Sequence, residues 1–274
     1  MKNPSRISTE ELNGLIGTAN CPMIFDVRRE AVFKASSSRI AGSAWHGHMD
    51  IEAAADAIDP DIGAIVYCVL GHNVSEIAAA RLRAFGVGVR VLEGGIEAFE
   101  KKGGLLVKQG GSLPGGAFDR PGIWVTRERP KIDRIACPWL IRRFIDPMAE
   151  FHFVAAEWVK DVAEEMGGTP YDIDGVFWSH RGETCTFDTI ISEFGLSSPA
   201  LDTVAAIVRG ADTARLDLAP EAAGLLAISL GLSRLHQSDL EQLEAGVAVY
   251  DALYAWARDG QGETHNWPAA KAKP

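Results

Sequence analysis

Residues 64–92 constrain the fold more than any other stretch of the chain. Ala64-Ile65-Val66-Tyr67 is a short apolar run suited to a buried parallel strand, and residues 87–92 (VGVRVL) form another. Between them, residues 75–85 place Ile77, Ala80, Arg81 and Ala84 at helical spacing. Strand, helix and strand at this separation predict a parallel βαβ unit. Pro22-Met23-Ile24-Phe25-Asp26-Val27 supplies a further strand of the same kind. Open parallel sheets bind ligands at the carboxyl ends of their strands. Cys68 directly follows one such end, and Asp26 and Arg28 lie at the other.

A cysteine between a strand and a helix N-terminus gains from free backbone N–H groups and the helix dipole, which lower a thiol's pKa and stabilise an adjacent anion. Gly71 lets the following loop turn tightly enough for several N–H groups to converge. Such a loop holds a thiolate, a persulfide or an oxyanion. The competing reading is a buried core thiol, a common fate of free cysteine. His72 is read either as a solvated loop residue or as a hydrogen-bond donor to a bound anion. Arg28 either attracts an anionic substrate or pairs with Asp26 or Glu93.

The remaining bounds come from composition. A chain of 274 residues that is 47% apolar has material for one large domain or two ordinary ones. Its net charge of −10 argues against nucleic-acid binding, which needs a basic field. No stretch of eighteen apolar residues suggests a membrane span, and the polar start MKNPSRISTEEL lacks a signal core, so a cytoplasmic protein is expected. Cys21, Cys68, Cys137 and Cys185 form no CxxC pair, which disfavours a disulfide framework or zinc knuckle.

Glycine pairs at 103–104, 110–111 and 115–116, with Pro114 and Pro121, mark residues 108–120 as a linker between residues 1–107 and 121–260, with a disordered tail at 261–274. The second half opens with a strand at 122–126. Asp133 is read as the cap of a helix over 134–145. A strand at 150–154, a helix at 157–166 and a short strand at 176–178 follow. Phe187, Ile190, Ile191 and Phe194 make one apolar helical stripe, closed by Gly195. Helices at 198–209, 220–232 and 238–258 complete a half that runs from mixed α/β to mostly helical.

Two stretches of that half carry chemistry. Residues 124–144 hold six cationic side chains in an acidic chain, several between a strand end and a helix start. An arginine in a first helical turn opposes the dipole, so Arg134 implies an anionic partner, ligand or carboxylate. Trp178-Ser179-His180-Arg181-Gly182-Glu183-Thr184-Cys185-Thr186-Phe187-Asp188 is the second stretch. His180, Glu183, Cys185 and Asp188 are candidate ligands for a metal ion of unknown identity, although their spacing matches no strong metal motif. The alternative is an oxyanion pocket in which His180 faces Arg127 and Arg134, since arginine forks suit tetrahedral dianions.

The first half resembles the rhodanese family. The resemblance rests on Ile7-Ser8-Thr9-Glu10-Glu11-Leu12, the Asp26-Val27-Arg28 turn, Arg39-Ile40-Ala41-Gly42-Ser43-Ala44 and Val91-Leu92-Glu93-Gly94-Gly95-Ile96-Glu97-Ala98-Phe99. It implies an α/β fold with a parallel sheet flanked by helices, and a sulfurtransferase in which Cys68 carries sulfane sulfur as a persulfide. The implied partners are thiosulfate or another sulfane-sulfur donor and a small thiol or protein acceptor, with no cofactor required. Asp26, Arg28, Val69, Leu70, Gly71, His72, Asn73, Val74 and Ser75 are then the expected substrate-binding set. The loop departs from the family's usual pattern by one extra residue. Related phosphatases and arsenate reductases share that length but place an arginine where this chain has Val74, so phosphatase chemistry is not expected.

Residues 121–258 resemble the chromate-resistance domain family through WVTRERPKIDRIACPWLIRRFID, FWSHRGETCTFD and the run from 208 to 225. That resemblance implies chromate, a tetrahedral dianion, as a ligand. Two functions follow: a sulfurtransferase tied to oxyanion resistance, or a chromate- or metal-binding sensor with a catalytically weak rhodanese half.

Overall fold

The two apolar runs that flank Cys68 lie side by side in a five-stranded parallel sheet. A computed structural model describes residues 5–110 and 121–263. The chain begins with β1 (Arg6–Ile7) and α1 (Thr9–Leu15). The Ser8 hydroxyl caps α1 by accepting from the Glu11 N–H at 3.1 Å, while the Glu11 carboxylate takes Arg90. Then come β2 (Met23–Asp26), α2 (Glu30–Ala35), β3 (Ser38–Ile40), β4 (Ser43–Trp45) and a 3-10 segment, Ile51–Ala57. The predicted βαβ unit is β5 (Ala64–Tyr67), α3 (Asn73–Ala84) and β6 (Val89–Leu92). The first half closes with α4 (Gly95–Lys101) and β7 (Leu106–Lys108).

The sheet order is β1-β6-β5-β2-β4, with β3 and β7 paired antiparallel beside it. Lys108 therefore ends a strand of the first half, although the glycine pattern assigns it to the linker. Residues 111–120 and 264–274 of the expected linker and tail lie outside the described residues.

Side chains alternate along a strand, and β5 uses that alternation to serve two cores. Ile65 and Tyr67 face one apolar cluster; Val66 and Cys68 face a smaller one with Phe25, Val27, Ala78, Ala79 and Leu82.

The second half is built on β8 (Ile123–Arg127), α5 (Asp133–Leu140), β9 (Glu150–Val154), α6 (Val159–Met166) and β10 (Thr169–Pro170). Its three strands are parallel in the order β10-β8-β9. Helices α7 (Thr186–Phe194), α8 (Pro199–Asp212), α9 (Ala222–Leu235) and α10 (Asp239–Ala255) follow. The expected helix over 134–145 is split: α5 stops at Leu140 and a wider π turn carries Ile141–Ile145. The strand expected at 176–178 is only a bridge between Tyr171 and Trp178, because the surrounding residues are turns.

The larger apolar cluster runs through both halves, from Ile7, Ile40 and Phe99 to Trp139, Phe144 and Tyr254. The Gly42 N–H donates to the Phe144 carbonyl at 2.6 Å, and buried Arg39 reaches the Ile145 carbonyl. Gly17 sits in the left-handed region at φ +81°, where a Cβ would come within 2.3 Å of the Phe144 ring. The two halves therefore meet on atoms that tolerate little change.

Candidate functional sites

Cys68 leaves the end of β5 and is 5% exposed. Gly71 takes φ +69°, and a Cβ there would stand 2.3 Å from the Leu92 carbonyl and 2.8 Å from the Gly95 nitrogen. Only glycine allows the loop to press so closely on the start of α4. Gly95 is equally constrained, since its Cβ would meet the carbonyls of Cys68 and Val69 at 2.4 and 2.5 Å. Those carbonyls accept hydrogen bonds from Ile96 N and Glu97 N at 3.0 and 3.2 Å. With its acceptors held by α4, the loop presents its donors to the sulfur.

Burial pushes the Cys68 thiol up, but the Ser75 side chain and the N–H groups of His72, Ser75 and Leu70 outweigh it, and the net shift is downward. The Ser75 hydroxyl is buried and has no other hydrogen-bond partner, which leaves it to serve the sulfur. The other thiols behave oppositely. Burial lifts Cys21 to about 12 and holds Cys137 and Cys185 well above the usual thiol range. All four cysteines are unpaired, and Cys68 is the one placed to be a thiolate.

The loop residues split by role. Val69 and Leu70 lie on its outer side, with Leu70 49% exposed. Helix α3 starts two residues before the sequence suggests, so Asn73 and Val74 belong to its first turn. Val74 packs on the core that holds Cys68. The His72 ring is exposed; it is the backbone of His72 that serves the sulfur.

Asp26 and Arg28 do not belong to this loop. The Arg28 guanidinium grips Asp26, with Nε at 2.9 Å from both carboxylate oxygens and Nη2 at 2.6 Å from one. Arg28 also donates to Ser36 and the Ser38 carbonyl, and Tyr67 donates to Asp26 at 2.9 Å. Both charges are buried on the Tyr67 side of the sheet, whereas Cys68 points to the other side. Strand alternation explains the correction: the two carboxyl-end motifs are neighbours in the sheet but face opposite ways.

The second half gathers a different set. His180 Nε2 lies 3.2 Å from Asp212 Oδ2, 3.5 Å from Asp172 Oδ1 and 3.6 Å from Asp133 Oδ2. Asp172 follows β10, in the left-handed region at φ +53°. Arg134 Nε stands 3.3 Å from Asp172, and Arg127 stands 3.9 Å from it. The expected trio Arg127, Arg134 and His180 thus converges, but on a carboxylate of the chain. The anionic partner that Arg134 requires is Asp172.

The carboxylates fix one another through backbone and hydroxyl donors. Asp133 is not chiefly the cap of its own helix: its Oδ2 accepts from Thr186 N at 2.5 Å and Phe187 N at 3.3 Å, at the start of α7. Thr186 Oγ1 donates to Asp172 at 2.8 Å, and Asp133 N donates to Asp212 at 3.3 Å. Burial, then the charges of Asp212 and Asp172, raise Asp133 well above the usual carboxylate range; burial and Asp172 also raise Asp212. Asp172 lifts His180 to about 9 against the opposing effect of burial. A cleft of about 630 Å³ opens beside the cluster, lined by Arg127, Lys160, Asp172, Asp174, Ser179 and His180 among others.

The expected metal set His180, Glu183, Cys185 and Asp188 is not assembled. Asp188 accepts from the Cys185 N–H and thiol at the start of α7 and pairs with Arg209, while Glu183 is exposed. Helix-start chemistry claims those side chains before a metal can. Asp172 and Asp212 escaped sequence reasoning because a lone aspartate after a strand or at a helix end is ordinary; only the fold brings them together.

Comparison with known proteins settles the framework. Residues 8–102 match the rhodanese-like domain, and residues 124–257 match the ChrB C-terminal domain. This chain joins a rhodanese-like domain to a ChrB C-terminal domain. Protein ChrB of Cupriavidus metallidurans is 33% identical over 133 residues, a match spanning 48% of this chain and 39% of that protein. Similar solved structures include a rhodanese-related protein of Thermoplasma volcanium, 22% identical over 37% of this chain and 96% of that one, with a TM-score of 0.32. A rhodanese-like domain from Anabaena is 23% identical over 43% of this chain and 90% of that one, with a TM-score of 0.33. Among the described residues no helix is long and apolar enough to cross a membrane.

Proposed function

We propose that the rhodanese-like domain is a sulfurtransferase in which Cys68 carries sulfane sulfur, and that the protein acts in chromate resistance. The supporting observation is the ring of donors around Cys68, which favours a thiolate while the other three thiols are pushed toward inertness. The Cys68 thiolate attacks the outer sulfur of thiosulfate. The S–S bond of thiosulfate breaks, and sulfite leaves with the electron pair. The resulting persulfide anion is stabilised by the N–H groups of Leu70, His72 and Ser75, as an oxyanion hole stabilises a developing charge. A thiol or other nucleophilic acceptor then takes the outer sulfur, and Cys68 leaves as thiolate. No cofactor enters this cycle, and a reducing compartment such as the cytoplasm suits an unpaired thiol.

The test is sulfur transfer from thiosulfate to cyanide by the full chain and by Cys68→Ser. Turnover by the wild type and background rates in the variant are expected; equal rates would sink the assignment. A sensing role is the second reading, favoured by the lack of any lysine or arginine in residues 69–75. Under it, mass spectrometry after exposure to thiosulfate finds no added sulfur on Cys68.

A further inference from the structure

The geometry points to a divalent metal site in the ChrB-type domain, with Asp133, His180 and Asp212 as its ligands. One donor atom from each of the three lies within 4.8 Å of the others. The distances from His180 Nε2 to Asp212 and Asp133, 3.2 and 3.6 Å, are the more telling quantity. Nitrogen and oxygen ligands sit about 2.0–2.2 Å from a first-row divalent ion, so neighbouring ligands are separated by roughly 3–3.5 Å. Asp212 faces the imidazole at the spacing of atoms that share an ion, and Asp133 stands just beyond it.

A second observation concerns Asp133 alone. Its side chain is 1% exposed; Oδ2, the oxygen 3.6 Å from His180, also accepts from α7, and Oδ1 of the same carboxylate is buried without a hydrogen-bond partner. A carboxylate oxygen left so is costly unless a cation compensates it. Asp172 Oδ1 lies 3.5 Å from His180 Nε2, but both oxygens of Asp172 are engaged, Oδ1 by Thr186 and Oδ2 by Arg134, which fixes it beside the ion rather than on it. Binding takes the Nε2 lone pair and releases any proton there to solvent. Two carboxylates and one imidazole suit a borderline or hard ion such as manganese, iron or zinc. The site is independent of Cys68, so it stands or falls apart from the sulfur-transfer reading.

Manganese is the better probe, because its weak affinity for thiolates keeps it off Cys68. The full chain, stripped by chelator and dialysed, is titrated with Mn²⁺ and followed by calorimetry and by loss of the free-ion electron paramagnetic resonance signal. One saturable equivalent is expected. His180→Ala and Asp212→Asn are each expected to weaken it at least tenfold, and Glu183→Gln to leave it unchanged. Asp212→Asn retains an acceptor for Asp133 N, and circular dichroism of both variants checks that they fold. Absence of saturable uptake up to millimolar Mn²⁺, or wild-type affinity in the two folded ligand variants, would overturn the site.

Discussion

At the scale of single residues, the chemistry of the first domain depends on how many donors reach one sulfur. Ser75→Ala removes one of them, and a hydrogen bond to a charged group contributes about 1.5 kcal/mol, or roughly one pH unit. The Cys68 thiolate titration is therefore expected to move up by about that amount, and the acid limb of the rate profile with it. Ultraviolet thiolate absorbance reads this cleanly, because the three other thiols are raised out of the neutral range. An unmoved titration would remove Ser75 from the cradle. Gly95 is the companion test: at φ +60°, with the Cys68 carbonyl 2.4 Å from a new Cβ, Gly95→Ala is expected to destabilise the fold by roughly 1–2 kcal/mol or more and to lower sulfur transfer. Denaturant unfolding and the thiosulfate assay measure the two effects separately.

At the scale of elements, the Asp26–Arg28 pair ties the end of β2 to its neighbours. The pair is buried, so removing one partner leaves an uncompensated charge. Arg28→Met is expected to cost about 3–5 kcal/mol in denaturant unfolding. Wild-type stability in that variant would show that the pair does not hold the strand. The same pair marks where sequence reasoning reached and where it stopped. Periodicity made β5, α3 and β6 legible, together with Cys68 at the strand end, because both depend on local pattern. It cannot say which face a residue one step along a strand takes relative to a neighbouring strand, so it leaves Arg28 open between a substrate anion beside Cys68 and pairing with Asp26, and the structure shows the pairing. In the second domain, the apolar stripe of Phe187, Ile190, Ile191 and Phe194 gave α7, and the arginine excess pointed to a charged partner. The partner, Asp172, sits 38 residues beyond Arg134, and its role follows from β8–β10 pairing alone. Asp133 looked like a local cap because capping is a local rule; tertiary packing gave its side chain to a helix more than fifty residues away.

At the scale of the whole molecule, a glycine-rich connection suggests two independent bodies, yet the apolar core crosses between them. Phe144 lies fully buried against Trp139, Tyr254 and Gly17. Phe144→Ala is expected to cost about 3–5 kcal/mol and to lower the stability of both domains together. Cys68 labelling under denaturant reports the first domain. Tryptophan fluorescence mainly reports the second, since Trp45 is the single tryptophan before residue 124. The two transitions are expected to coincide in the wild type and to shift in step in the variant. Separate midpoints would mean that the shared core does not couple the domains.

The two-sided use of β5 has a consequence for how such a protein can diversify. Tyr67 is committed to the core that joins the domains, and Cys68, one residue on, is committed to the other. None of residues 69–75 belongs to the joining core. Substitutions in the loop can therefore alter the guest it accepts, in size or in charge, without loosening the attachment of one domain to the other. Val74 occupies a place where that freedom operates: a cation there would recruit an oxyanion while the seam along Gly17, Gly42 and Phe144 stayed as it is.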